Sequence, residues 1–138
     1  MGVFGYVEKL VAITSAPSTV VFEFGGAQSQ GTTTSTSGIT ILEDGIYQIS
    51  WGCDVTRSAG RPDAWITLAP TVDGISQAEQ IVGYWNAVDF TGLYWISLAK
   101  THVDDLDAGE VIGLTLGGFL NSPPTSVSGL FLMVVKLD

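Results

Sequence analysis

EDGIYQISWGCDV, residues 43–55, carries the clearest pattern in the chain. A turn of Glu43, Asp44 and Gly45 runs into a clean alternation. Tyr47, Ile49, Trp51, Cys53 and Val55 share one face; Gln48, Ser50, Gly52 and Asp54 share the other. A period of two with one apolar face is a half-buried strand. Working outward, similar runs occur at Tyr6–Thr14, Thr19–Phe24, Gly38–Leu42, Ala64–Val72, Gln80–Tyr84, Gly92–Thr101, Val111–Leu116 and Gly129–Leu137. Turn signals separate them, among them Asp73-Gly74, Asp107-Ala108-Gly109 and Asn121-Ser122-Pro123-Pro124. No stretch keeps helical periodicity over three turns. Short strands at this spacing predict an all-β antiparallel sandwich or barrel in a single domain over residues 1–138. The polar run from Gly25 to Gly38 reads as a long surface loop.

Elsewhere the alternation gives way to apolar residues on both faces. In GLFLMVVKLD (129–138), Leu130, Leu132 and Val134 oppose Phe131, Met133, Val135 and Leu137. In GLYWISLAK (92–100), Leu93 and Trp95 oppose Tyr94, Ile96 and Leu98. A sandwich buries only the inner face of each sheet. A second apolar face needs a covering partner, and the sequence offers no covering helix. An oligomer with a core-like interface is the economical solution.

Composition narrows the partners. The chain of 138 residues carries a net charge of −9 with five Lys and Arg, so it lacks the basic footprint for nucleic acid or an anionic membrane. No run is long and apolar enough to span a bilayer. The start, MGVFGYVEKLV, lacks the basic and apolar regions of a signal peptide and reads as an ordinary start or as the cut end of a longer parent. Cys53 is the single cysteine, so no internal disulfide forms, and its place on the apolar face makes it a small buried hydrophobe.

Four motifs, in order, resemble the tumour-necrosis-factor and complement-q-head superfamily of trimeric jelly rolls. Gly45-Ile46-Tyr47 with its strand is similar to that family's Gly-x-Tyr strand. WITLAPTVDG (65–74) resembles the next strand and its hairpin. SLAKTHVDDLDAGEVIGLTL (97–116) resembles a strand, turn and strand, and SGLFLMVVKLD (128–138) the closing strand. The resemblance runs from about Thr19 to the end and is greatest to bacterial members, such as the C-terminal domains of collagen-like glycoproteins on spore surfaces. The chain has no Gly-X-Y tract. What the resemblance implies is a jelly-roll homotrimer and an extracellular, spore-surface or virion-surface setting. Tyr47, Tyr94, Ile96, Phe131, Met133, Val135 and Leu137 would then lie at the trimer interface.

Signals of catalysis are poor. The sequence has no G-x-S-x-G, H-E-x-x-H, Walker loop or CxxC, and a single histidine, His102, argues against a triad or a cupin metal site. The chain is therefore read as no enzyme, with no cofactor required. HVDDLDAGE (102–110) concentrates oxygen donors, making Asp104, Asp105, Asp107 and Glu110 candidate calcium ligands; the spacing is not that of an EF-hand, and the competing reading is a solvated acidic turn. Trp85 and Asn86 are candidates for a ligand groove. The expected role is a structural trimerisation and surface-display module, with a phage or viral fibre-tip or head-decoration jelly roll, and a receptor- or glycan-binding module, as alternatives.

Overall fold

The computed structural model describes residues 2–9, 11–13, 18–58, 64–77, 81–85, 93–119 and 126–138. Within these the chain forms strands and no helix. They are β1 (Phe4–Lys9), β2 (Ser18–Thr19), β3 (Phe24–Gln28), β4 (Thr32–Ser35), β5 (Gly38–Ile41), β6 (Gly45–Ser58), β7 (Ala64–Val72), β8 (Ile75–Ser76), β9 (Ile81–Trp85), β10 (Leu93–Leu106), β11 (Val111–Phe119) and β12 (Ser126–Lys136). Every ladder is antiparallel.

The strands sort into two sheets. One has five strands in the order β10-β6-β12-β1-β3. The other follows β4-β5-β11-β7-β8, with β2 on β11 and β9 on β7. The chain crosses repeatedly between them, so strands that are neighbours in a sheet are distant in sequence; β1, for example, pairs with β12. This is a jelly-roll-like β-sandwich.

The opening stretch becomes β6, an interior strand of the five-stranded sheet between β10 and β12. Tyr47, Ile49, Trp51, Cys53 and Val55 are all buried, as the alternation requires. They meet Ile39, Ile41, Ile66, Leu68, Ile112 and Leu114 from the other sheet in one hydrophobic cluster. Trp51 also ties the layers by a hydrogen bond: its Nε1–H donates to the Leu68 carbonyl at 3.0 Å. A buried indole needs such a partner.

The polar run 25–38 differs from expectation. It holds most of β3, all of β4 and the start of β5. Thr32–Ser35 pairs with Gly38–Ile41 as a hairpin, and Thr34 N–H is satisfied by Gln28 Oε1 at 2.9 Å. Threonine has good strand propensity, which here outweighs low hydrophobicity. Gly38 makes the hairpin possible: its φ is +137°, and a β-carbon there would collide with the Ile112 carbonyl oxygen. The predicted strand Thr19–Phe24 is correspondingly reduced to β2, followed by a crossing segment anchored by Phe22 N–H to the Thr36 carbonyl at 2.8 Å.

Candidate functional site

The five-stranded sheet carries an outward face whose residues line up in rows, because directly opposed residues in antiparallel ladders share a face. One row runs Phe4, Val135, Gln48, Val103 from β1 through β12 and β6 to β10. The next runs Tyr6, Met133, Ser50, Thr101. A third runs Glu8, Phe131, Gly52, Ala99. Beyond a bulge in β12, Ser128, Asp54 and Ser97 form a shorter row.

The β1 and β12 half of this face is apolar and bulky. Phe4, Tyr6, Phe131, Met133 and Val135 are each half-buried in the single chain. Tyr6 and Phe131 stack with ring centroids 6.4 Å apart and planes 19° from parallel. Phe131 leans over Gly52, where a β-carbon would lie 2.7 Å from its ring and 2.5 Å from the Leu98 carbonyl oxygen. Tyr6 Oη–H donates to Glu8 Oε2 at 2.9 Å. Burial, then that bond, pushes the Tyr6 phenol above its ordinary pKa. On the β6 and β10 half Gln48 and exposed Val103 stand beside small side chains whose hydroxyls are paired. Ser50 Oγ and Thr101 Oγ1 lie 2.9 Å apart, and Ser97 Oγ–H donates to Asp54 Oδ1 at 2.6 Å.

Of the residues expected at an interface, Phe131, Met133 and Val135 fall together on this outward face. Leu137, just past β12, is exposed, and its N–H donates to the Ile46 carbonyl at 2.7 Å. Tyr47 requires correction. It points into the sandwich, has no exposed surface, and donates its hydroxyl to the Glu43 carbonyl at 2.8 Å. Ile96 is a second correction: it pairs opposite Val55 on the inner face and packs against the core. Both follow from register, since the inner face of β6 dictates the facing of its partner on β10. Tyr94 pairs with Arg57; its side chain lies outside the described residues.

The acidic stretch is spread over the end of β10 and the turn after it. Asp104 pairs opposite Tyr47, Asp105 opposite Ile46, and Asp107 and Glu110 flank Gly109 in the turn. The carboxylate of Asp104, and those of Asp44 and Asp73 nearby, are engaged with backbone N–H groups. Asp104 Oδ1 accepts from Asp105 N–H, Asp44 Oδ1 from Ala108 N–H and Asp73 Oδ1 from Val111 N–H, all within 2.9 Å. Among the described residues no group of three or more His, Cys, Asp or Glu is arranged to hold a metal ion. The carboxyl of Glu110 titrates above its usual range, chiefly through desolvation, with the charges of Asp107, Asp73 and Asp104 adding to it and a backbone hydrogen bond at Asp107 opposing.

His102 points inward and meets Trp51 edge-on at 5.4 Å, and its buried Nδ1 has no hydrogen-bond partner. Cys53 is buried, and burial followed by the charge of Asp54 pushes its thiol up to about 12, which makes it a poor nucleophile. Trp85 ends β9, but its side chain lies outside the described residues, as does Asn86 altogether.

Searched against protein-family models the chain matches none, and no curated protein matches it. The fold itself defines the class: a jelly-roll-like β-sandwich.

Proposed function

We propose that this chain is a non-enzymatic structural module that assembles as a homotrimer and displays its loops at a surface. The observation that carries the reading is the outward face of the five-stranded sheet, where Phe4, Tyr6, Phe131, Met133 and Val135 form a contiguous apolar strip. No further strand among the described residues is layered over it. Apolar strips of this kind are covered in working proteins by a partner. A second copy is the partner that needs no other component, and three copies follow from the resemblance to the tumour-necrosis-factor and complement-q-head jelly rolls. The spore-surface setting rests on that same resemblance to bacterial members. Recognition of a partner is then the business of loops held at fixed positions by the trimer.

The test is Met133→Lys, compared with the unaltered chain by sedimentation velocity. A half-buried side chain on the outward face tolerates a lysine in the monomer, whose stem can lie along the sheet. A charge buried between copies costs several kcal/mol. The variant is expected to sediment as a folded monomer. Retention of the unaltered chain's sedimentation coefficient removes this face from the assembly.

A further inference from the structure

We propose that the outward face of the other sheet, built on β7 and β11, binds a neutral saccharide, with Trp65 as its stacking platform. This face lies on the opposite side of the sandwich from the apolar strip of β1 and β12, so the two proposals stand or fall separately.

Register supplies the argument. Ile66, Leu68, Ile112, Leu114 and Leu116 are the core-facing positions of β7 and β11. The alternate positions face away from the core, and directly opposed residues share a face. Across β9, β7 and β11 these positions pair as Tyr84, Trp65 and Phe119. The next level pairs Val82, Thr67 and Gly117. Beyond it Ala69 pairs with Thr115 and Thr115 with Thr19, and then Thr71 pairs with Gly113. Trp65 is 43% exposed, and among the described residues no strand is layered over this sheet. Neighbouring positions along the aromatic level stand about 5 Å apart, close to the spacing of successive pyranose rings.

The surface beside the aromatic level suits a ligand rich in hydroxyls. Gly117 leaves the floor next to Trp65 bare, and a β-carbon there would lie 2.6 Å from Thr67 Oγ1. Farther along the same face is a cleft of about 490 Å³ lined by Thr19, Val20, Thr36, Ser37, Thr71 and Gly113. That is the size of a small-ligand site, and hydroxyl groups dominate its polar lining. Asp73 stands at its rim with Oδ1 already accepting from Val111 N–H at 2.9 Å. The strand rise from Trp65 to Thr71 is about 20 Å, so one oligosaccharide can reach from platform to cleft.

Charge selects the ligand class. None of the paired outward positions is charged, on a chain of net charge −9. An anion is repelled by the chain as a whole, which sets aside nucleic acid even though bases also stack on aromatic rings. A lasting protein partner needs a broad apolar patch, and past the aromatic level the positions are mostly threonine and glycine. A neutral sugar fits both parts. Its C–H face is apolar and stacks on an indole, while its hydroxyls bond to threonine and exposed backbone.

The experiment is calorimetric titration of the full chain with cellohexaose, maltohexaose and chitohexaose, and with hexagalacturonate as the anionic comparison. Circular dichroism checks the folding of each variant. The unaltered chain is expected to bind at least one neutral hexasaccharide and to leave the anionic one unbound. Trp65→Ala is expected to weaken that binding about tenfold or more, equivalent to about 1.4 kcal/mol. Trp65→Phe keeps a ring and recovers most of the loss, and Met133→Lys on the opposite face binds as the unaltered chain does. Should Trp65→Ala fail to fold, Thr67→Lys lays a charged stem over the floor at a half-buried position and is expected to weaken binding as much. Absence of binding to every neutral hexasaccharide at millimolar concentration overturns the proposal. So does an affinity unchanged by the folded platform variants, or tighter binding of hexagalacturonate.

Discussion

Tyr47 shows how a single side chain can be read correctly in pattern and wrongly in role. Its place in the alternation of β6 puts it on the apolar face, and that face turns out to be the interior of its own chain. Its hydroxyl is satisfied by Glu43, and burial with the charges of Glu43, Asp138 and Asp44 raises its pKa. Tyr47→Phe should therefore cost about 1 kcal/mol of folding stability, the usual net worth of one hydrogen bond, with no change in assembly. Urea unfolding and a dilution series separate the two; a shift in dissociation with unchanged unfolding would return Tyr47 to an interface. Glu110 offers a second test at this scale. Its pKa is higher folded than unfolded, so the fold disfavours its charged form. That penalty is absent below the unfolded pKa and grows as pH rises through the folded one. Glu110→Gln should raise the melting temperature slightly at neutral pH and leave it unchanged at strongly acidic pH. An equal effect at both would show that the charge of Glu110 is not its origin.

Among the elements, β10 is the most exposed to risk. It runs from Leu93 to Leu106 at the end of the five-stranded sheet, and long end strands recruit other chains. Its register answers the hazard: Lys100, His102 and Asp104 sit opposite Trp51, Ile49 and Tyr47, placing polar side chains on the core-facing side of an edge. Inward charges on an edge strand penalise further pairing. Lys100→Val should thus leave the strand in place but speed aggregation on warming, read by light scattering; unchanged aggregation would assign protection elsewhere. The strand also marks where sequence reading reaches its limit. The alternation of Ile96 and Leu98 was legible, but which side faced the core was not, because that depends on pairing with β6. For β12 both faces were legible as apolar, and the structure divides them into core and outward strip as the period of two demands. The strand Gly38–Leu42 was legible and is β5, but its Thr-rich hairpin partner β4 was missed because its stability comes from pairing, not from an apolar pattern. No local signal marks the outward face itself, since it joins four strands far apart in sequence.

At the scale of the molecule, an acidic chain with two packed sheets still presents an apolar strip to its surroundings. Tyr6, Phe131 and Met133 are half-buried, Tyr6 stacks on Phe131, and beside them Ser50 and Thr101 bond each other. Such a face is costly to leave in water and inexpensive to cover. The account stands or falls on whether copies cover it. The most direct measurement is the absolute mass in solution, by light scattering after size exclusion at neutral pH. The prediction is three times the chain mass of 14.6 kDa. A monodisperse species of one chain mass, stable over a wide range of concentration, would contradict it.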